Sequence, residues 1–569
     1  MLITVGCTRK ILLVHSYLQT SYFNFTTSLS VKICVKRYWS KSKLTTSSLP
    51  CANCNADGPT VAIQEGPTAR SYCGPDCQQA HWPTYKVHCN SALNKATWTP
   101  NWVLQDRTPR NAPALNVLKL SSNEGYLYQG QLSLLFAASG DLRNLLTTIA
   151  QLPSSYKQQI SITINNRDLN IVAQNVVMLL IALTAEEHNN TIDCIIHVWY
   201  SAFIRESNLK LLTLQGRPLI EGVCHKIRDK PTNAILGKSW KFGQSSFRLV
   251  LEKVSWDKLL TFLEVPGGLT VDRANQLRTA VTLVESRVDY RDRSFHFLPS
   301  SHRVAIYRFR QDSLLLTFGV SRNGFRHPNP TFFQTADRWP MYDNADPLNG
   351  WSAKDIEATS TGLATSDIYG KMYYYVRGVL EAFLGGMSSR TAAIEPLQVD
   401  ASDLPSHLNI NSFDRIEVYA GYLGIHKTVG IMSPLLRSPS INSHATLITS
   451  FMNVVDENLA NQDRMAEAKV GSASTNPTSR YDPGVIMFSF ARDSVTAYDS
   501  IFDRVAKQFR FSDFSEYLGA VAKEKHTVVE KWPFRLRLGP EQKGAKEEFD
   551  MMMRGGPRGK ERYMEWKRL

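Results

Sequence analysis

Four cysteines in one short segment have the types and spacing of ligands for a single metal ion. Cys51 and Cys54 form a Cys-x2-Cys pair, and Cys73 and Cys77 form a Cys-x3-Cys pair after 18 intervening residues. Thiolates at such spacings can reach one tetrahedral zinc ion. The pattern therefore predicts one bound zinc ion. Two disulfides or unbound thiols are the alternative, which the cysteine-poor remainder of the chain and the lack of a clear secretory signal disfavour.

The segment around these cysteines resembles a MYND-type zinc finger. The residues that carry the resemblance are Tyr72, Cys73, Cys77, Gln78, Trp82, Tyr85, Lys86 and Cys89. MYND fingers bind two zinc ions in a cross-brace, and the resemblance implies that Cys51, Cys54, Cys73 and Cys77 fill the first site. The second site lacks its first cysteine pair and carries Tyr85 at its histidine position, which leaves Cys89 vestigial. Residues 51–89 are therefore expected to form a degenerate finger that docks partner proteins, including proline-containing peptides.

Two alternatives remain for the second site of the finger. His81 and His88 could act with Cys89 as displaced ligands, but three ligands within nine residues lack a fourth partner. Solvated or packing roles are the simpler interpretation of both histidines. A missing internal segment would also explain why the second site lacks its first cysteine pair.

The first 50 residues are basic, rich in Ser and Thr, and free of acidic residues. Their seven cations supply half of the net charge of +14, and the first carboxylate is Asp57. This composition is typical of a mitochondrial transit peptide, and a disordered extension or an unused upstream start is the alternative. The remaining charge is too diffuse to predict nucleic-acid binding, and the apolar run at residues 11–14 is too short to span a bilayer. We expect a cytoplasmic protein without membrane contacts, with mitochondrial or nuclear localisation as the alternatives.

Two strand-and-helix units follow the finger and predict an α/β fold. Residues 132–138 form a short apolar run, and residues 142–152 repeat apolar side chains at helical spacing. Residues 160–164 alternate like a strand, and residues 169–183 form a strongly apolar helix. Repeated units of this kind favour a parallel sheet with covering helices. We place the α/β domain at residues 95–535.

Polar residues and one glycine follow both predicted strands. In a doubly wound sheet, ligands bind in the crevice at the carboxyl ends of the strands. A nucleotide-like ligand would meet Gly140, Asp141, Asn165, Asn166 and Asp168 there. The turn at residues 139–141 offers one glycine, where close approach of a ligand to the backbone usually needs more. Helix capping by Asp141 and turn formation are therefore the simpler interpretation.

This region is similar to a domain of unknown function shared by fungal MYND-finger proteins and the N-terminal region of axonemal dynein assembly factors. The stretches that carry the similarity are residues 134–143, 164–168, 197–201, 290–293, 328–334, 345–351 and 413–418. The similarity covers most of residues 51–456. It implies a Rossmann-like fold loosely similar to class I methyltransferases, supplies no catalytic residue, and suggests a role in the assembly of other proteins.

The pattern beyond residue 328 predicts further elements of the main domain. Residues 329–351 are expected to form an ordered loop, and residues 369–383 a helix whose aromatic stripe packs in the core. Residues 413–418 are predicted as a strand and residues 444–453 as a buried helix. Residues 460–483 are expected to form a polar surface loop, and residues 536–569 a basic flexible tail.

The motifs favour a binding protein over an enzyme. No phosphate-binding loop, zinc-protease helix or nucleophile elbow occurs in a suitable setting. Only Cys194 and Cys224 follow the finger, so the later cysteine cluster of SET-domain methyltransferases is missing. His197 lies in an apolar run and is expected to be a core residue. We therefore expect a zinc-binding, non-catalytic adaptor, with a methyltransferase-like enzyme that binds S-adenosylmethionine near Gly140 and Asn165 as the alternative.

Overall fold

The computed structural model describes most of the chain beyond residue 111. The described ranges are 46–47, 60–63, 70–72, 74, 76–77, 79–80, 82–83, 112–185, 187–287, 300–317, 320–343, 345–362, 364–421, 423–461, 496–539, 541–554 and 559–569. The chain divides into two compact units. The first comprises Met1–Gln105 with Leu283–Arg291, and the second comprises Asp106–Thr282 with Asp292–Leu569.

The described strands of the first unit form a small antiparallel sheet. Its three strands, β1 to β3, are Thr46–Ser47, Thr60–Ile63 and Arg70–Tyr72, and β2 lies in the centre. The strand β3 ends at the residue before Cys73, so it leads directly into the second cysteine pair of the predicted finger.

The second unit is an α/β structure built on a large sheet. Its strands β4 to β14 are, in chain order, Leu132–Ala137, Ile160–Asn165, Phe203–Arg205, Ile235–Phe242, Ser245–Glu252, Phe325–Pro328, Ala392–Leu397, Arg415–Tyr419, Thr446–Phe451, Ala520–Ala522 and Arg562–Arg568. Its helices α1 to α16 are Arg143–Ala150, Leu169–Leu183, His188–Tyr200, Glu206–Leu211, Arg217–Lys226, Lys253–Leu259, Val271–Thr282, Ser300–Asp312, Ala353–Ala358, Ile368–Ser388, Leu404–His407, Ile425–Met432, Val454–Glu457, Asp499–Gln508, Phe514–Tyr517 and Ala545–Arg554. A π-helical segment, Leu212–Gly216, joins α4 to α5.

Nine of these strands form one sheet in the order β13-β14-β12-β11-β4-β5-β10-β8-β7. The six strands from β12 to β8 are mutually parallel. The strand β14 is antiparallel to both of its neighbours, and the edge strand β7 is antiparallel to β8. The predicted α/β class with a mixed sheet is therefore confirmed. The remaining two strands, β6 and β9, form a separate antiparallel pair.

The two predicted strand-and-helix units are present as β4-α1 and β5-α2. Both strands bury five of their six residues. The helix α2 is apolar on nearly all sides, from Ile171 to Ala182, which is typical of a helix enclosed by protein. Local periodicity predicted these elements correctly because sequence-adjacent units build this part of the sheet.

The expected buried helix at residues 444–453 is wrong, because the segment contains the strand β12. All six residues of Thr446–Phe451 are buried, and β12 lies between β11 and β14. A strand buried on both faces has a continuous apolar run rather than strict alternation, so its period resembles that of a buried helix. The β-branched residues Thr446, Ile448 and Thr449 were the signal that favours a strand.

The expected flexible tail is also wrong at its end, because Arg562–Arg568 forms β14 inside the sheet. Trp566 is fully buried, packs on Phe511 and Phe514, and donates from Nε1 to the Thr449 hydroxyl at 2.9 Å. The charged residues around Trp566 indicated an exposed tail rather than a buried strand. In β14 a buried carboxylate accepts hydrogen bonds from a loop, and the sequence alone does not show that this loop lies beside the strand.

The ordered loop and the helix at residues 369–383 are confirmed, but the aromatic residues of the helix pack in the core only in part, because Tyr374 is 44% exposed. Phe333, Trp339 and Trp351 anchor residues 329–351 in the core, and α10 buries Met372 and Phe383 among others. The polar segment 460–483 lies almost wholly outside the described residues. None of the helices that the structure describes combines the length and apolar composition needed to cross a membrane.

Candidate functional site

The carboxyl ends of β4 and β5 meet, and they bring the predicted crevice residues together. Gly140 and Asp141 follow β4, Asn165 is the last residue of β5, and Asn166 and Asp168 follow it. The parallel register of the two strands places their ends side by side. The structure therefore gathers all five residues at one edge of the sheet, as expected for a crevice in an α/β fold.

Asn165 ties three strand ends together. Its buried side chain accepts from the backbone N–H of Ala138 at 3.1 Å and donates to the carbonyl of Val399 at 2.8 Å. Ala138 follows β4 with a φ of 50°, in the left-handed region that costs a non-glycine residue roughly 1 kcal/mol or more. The asparagine stabilises this turn, so its polar atoms are occupied by the backbone.

The side chains of Asn166 and Asp168 also serve the local structure. Asn166 donates from Nδ2 to the carbonyl of Ser139 at 2.9 Å, and its Oδ1 accepts from the backbone of Asp168 at 2.7 Å. Asp168 is the N-cap of α2, where its Oδ1 accepts from the backbone of Asn170 at 2.8 Å. Its Oδ2 is buried and has no hydrogen-bond partner among the described residues.

Asp141 and Gly140 border a cavity, which we call the inner cavity. Asp141 accepts at Oδ1 from the backbone of Arg143 at 2.9 Å and pairs through Oδ2 with its Nε at 2.8 Å, which fixes the start of α1. A side chain at position 140 would meet open space, so this glycine is not required by a close backbone contact. Turn formation and helix support thus account for most polar contacts of the predicted crevice.

The inner cavity has a volume of about 140 Å³, and six aromatic residues contribute to its wall. It lies between the start of α1, the helix α2 and the end of α3, and the segment 309–350 covers it. Its aromatic residues are Trp199, Tyr200, Phe309, Phe332, Trp339 and Tyr342. Sites for drug-sized ligands and cofactors usually measure about 300–1,000 Å³. The inner cavity is therefore too small for a complete nucleotide cofactor.

A second depression, the outer groove, lies on the far side of α3. It has a volume of about 660 Å³. Its walls come from α3, α4, the segment after α4, and α10, and include Asn190, Asp193, His197, Arg205, Ser207, Asn208, Lys210, Leu214, Leu316, Tyr373, Tyr374 and Arg377. The volume is within the usual range for binding sites.

Ion pairs and hydrogen bonds order one wall of the outer groove. Arg377 pairs with Asp193 and, through Nε at 3.1 Å, with Glu381. The hydroxyl of Tyr373 donates to Asp193 at 2.6 Å. Arg205 stacks on the ring of Phe325 at 4.7 Å and forms no ion pair within the described part of the chain. One cation of the groove is therefore held in place without a neutralising carboxylate.

The predicted core role of His197 agrees with its environment. The ring is buried, contacts Phe325 edge-on at 4.8 Å, and hydrogen-bonds through Nδ1 with the Ser201 hydroxyl at 3.2 Å. Burial, with a smaller effect of Arg205, lowers the pKa of His197 to about 3. The imidazole is therefore neutral at physiological pH.

Sequence reasoning missed the outer groove, although the helices carried a signal. Asp193 and His197 are four residues apart on α3, and Tyr373 and Arg377 are four residues apart on α10, so each pair shares one helix face. Nothing in the sequence showed that these two faces meet.

Most of the predicted zinc ligands fall outside the part of the chain that the structure describes. Cys51, Cys54, Cys73 and Cys89 lie outside the described residues, and Cys77 lies in a short helical turn. Within the described ranges, no group of three or more potential ligands surrounds a metal position. The zinc site stays a prediction.

Residues 110–204 match the family model described as a domain of unknown function (DUF4470). This match confirms a domain of unknown function over the segment that holds β4, β5 and α1 to α3. Comparisons with curated proteins and with solved structures find no match. The resemblance to MYND fingers and to dynein assembly factors stays a prediction.

Proposed function

We propose that the protein is a non-catalytic, zinc-binding adaptor that holds partner proteins through its finger and through the outer groove. The outer groove carries this proposal, because it is open, of ligand-binding size, and lined by side chains suited to a peptide. Leu214 and Tyr374 are 73% and 44% exposed at its rim. Exposed apolar side chains beside polar ones are typical of protein interaction sites.

The chemistry of the outer groove favours an extended segment with an acidic side chain between apolar ones. Arg205 offers a positioned guanidinium for a carboxylate. Leu214, Leu316 and Tyr374 offer apolar contacts on either side. Asn190 and Ser207 add side-chain groups that can hydrogen-bond a peptide backbone.

A photocrosslinking residue at Tyr374 is expected to trap a discrete partner in cells that naturally contain the protein. The matched control is the same residue at Tyr517, which is 52% exposed and does not line the groove. Adding Leu214→Glu should lower the crosslink yield about tenfold, since burial of a charge in place of an apolar anchor costs at least about 1.4 kcal/mol. Equal crosslinking at both tyrosines, or an unchanged yield with Leu214→Glu, would overturn the groove as the docking site.

The finger is expected to bind one zinc ion per chain. Metal analysis of the full-length protein should give a ratio of about one, and Cys77→Ser should lower it severalfold because a tetrahedral site loses a quarter of its ligands. Cys224→Ser is the control, since Cys224 lies beside Trp256 in the α/β unit. Chelation should also expose the finger to proteolysis. A zinc ratio that Cys77→Ser leaves unchanged would contradict the assignment.

The strand order favours a methyltransferase-like enzyme as a second candidate. When the five adjacent parallel strands β10-β5-β4-β11-β12 are numbered among themselves in chain order, they follow 3-2-1-4-5, as in the Rossmann-like order 3-2-1-4-5-6; the sixth parallel strand, β8, precedes β10 in the chain and lies outside this order. Fold alone does not establish function, and the occupied polar atoms of Asn165 and the small inner cavity count against a whole cofactor. Calorimetric titration of S-adenosylmethionine into the full-length protein separates the candidates. Micromolar binding would favour the enzyme, and no heat change would favour the adaptor.

A further inference from the structure

The aromatic side chains of the inner cavity are held in rigid stacked pairs. Trp199 stacks on Tyr200 with ring centroids 4.9 Å apart and planes 16° from parallel, and Phe332 stacks on Trp339 at 5.6 Å and 14°. Phe309, also in the wall, stacks on Tyr369 at 5.0 Å. A ring fixed in this way loses little conformational freedom when a ligand contacts it.

The wall of the inner cavity contains more acidic than basic side chains. Its wall contains three carboxylates, Asp141, Asp343 and Asp346, and two guanidinium groups, Arg143 and Arg310, a formal excess of one negative charge. Asp141 is paired with Arg143. Burial raises the pKa of Asp346, and hydrogen bonds from the Leu348 backbone and the Tyr369 hydroxyl, with a smaller effect of the charge of Arg310, offset this only in part. An added cation would therefore be stabilised by the wall.

Within the described part of the chain, the indole N–H of Trp339 is an unsatisfied buried donor on a residue of the cavity wall. Trp339 is 9% exposed and lines the inner cavity, and its Nε1 is buried without a hydrogen-bond partner among the described residues. A buried donor left unsatisfied costs roughly 1–3 kcal/mol.

We propose that the inner cavity binds a quaternary ammonium group. Aromatic faces attract such cations, and the attraction reaches about 2 kcal/mol when the cation is desolvated. Cavities of about 150 Å³ accommodate a benzene-sized molecule, and a trimethylammonium group is of similar size. The group can belong to a methylated lysine of a protein or to a free small molecule such as choline. This site is distinct from the outer groove, so its failure would leave the proposed docking site untouched.

The test compares choline with its neutral carbon isostere, 3,3-dimethyl-1-butanol, by calorimetry or saturation-transfer NMR on the full-length protein. Choline should bind about tenfold more tightly, because the two molecules share their shape and differ in the charge that the aromatic faces attract. Equal binding of the two, or no binding of choline, would overturn the proposal.

Variants locate the site and control for folding. Asp343→Asn keeps the shape of the side chain and should weaken choline about tenfold while leaving the isostere unchanged. Asp229→Asn, an exposed carboxylate outside the cavity, is the matched control and should have no effect. If Asp343→Asn fails to fold, Trp339→Phe keeps an aromatic ring while reducing its aromatic surface and removing the N–H group, and it should weaken choline severalfold. Choline affinity that neither folded variant changes would overturn the inner cavity as the site.

Two further ligands identify the source of the ammonium group. A peptide with one trimethyllysine should bind more tightly than choline, and the unmethylated peptide should not bind, if the natural ligand is a modified protein. Choline binding without binding of the methylated peptide assigns the site to a free small molecule. Both results support the same chemistry.

Discussion

Replacing Asn329 with aspartate is expected to lower the free energy of unfolding by about 3–5 kcal/mol. Asn329 is fully buried, and its Nδ2 donates to the carbonyls of His197, Val198 and Ser201 at 3.1, 3.0 and 2.8 Å. These carbonyls lie at the end of α3, where the helix supplies few further donors; that of His197 also accepts from the Ser201 N–H at 2.9 Å. Its Oδ1 accepts from the backbone of Thr331 at 3.0 Å. Aspartate would set a charged oxygen against three carbonyl oxygens.

The midpoint of urea unfolding, followed by tryptophan fluorescence on the full-length protein, measures this effect. Asn323→Asp is the matched control, because Asn323 is exposed in the turn before β9 and should change stability by less than about 0.5 kcal/mol. Protonation of the new carboxyl group removes the repulsion, so the deficit of Asn329→Asp should shrink as the pH falls. Equal midpoints for the two variants at neutral pH would show that Asn329 does not support the end of α3.

Asn329 also shows how much of the fold its sequence could reveal. Residues 329–351 were expected to be ordered from their aromatic and turn-forming residues, but the amide contacts carbonyls about 130 residues earlier in the chain. Local periodicity could predict β4, α1, β5 and α2, since each element carries its own apolar pattern. It could not separate a strand buried on both faces from a buried helix, and β12 was therefore assigned wrongly.

The candidate site could likewise be predicted only in part. The five crevice residues could be predicted to gather, because parallel neighbouring strands end at one edge. The side chain of Asn165 hydrogen-bonds to Ala138 and Val399. Because Val399 lies in a loop after β10, more than 200 residues later in the chain, the sequence could not reveal this contact. Predicting the outer groove requires knowing that α3 contacts α10. The sequence shows one polar pair on each helix but does not indicate that the two pairs face each other.

Glu565→Gln is expected to lower the free energy of unfolding by about 3 kcal/mol. The Glu565 carboxylate is fully buried in β14 and accepts from the backbone N–H groups of Thr527, Val528 and Val529, with distances of 2.7 Å to Val528 and 2.9 Å to Val529. Lys523 adds a charged donor at 3.3 Å. Glutamine keeps one acceptor oxygen but turns an NH2 group toward other donors. The loop 523–529 would lose its main attachment to the sheet.

Acid unfolding distinguishes this role from simple packing. Burial alone would raise the pKa of Glu565, but the three backbone N–H groups and Lys523 hold it below its ordinary value. A carboxyl group with a depressed folded pKa contributes stability above its unfolded pKa of about 4.3, and this contribution is lost as the pH falls through the folded pKa. Burial also lowers the pKa of the neighbouring His526.

The decisive comparison is therefore the fall in the urea midpoint between pH 7 and pH 3 for wild type, Glu565→Gln and the exposed control Glu541→Gln. Wild type and the control should lose stability together, while Glu565→Gln starts lower and loses less, since its amide does not titrate. An acid dependence identical in all three would mean that the carboxylate is not held by the 527–529 backbone. Because those contacts require β14 to pair with β12 inside the sheet, the same result would also count against the strand that replaces the expected tail.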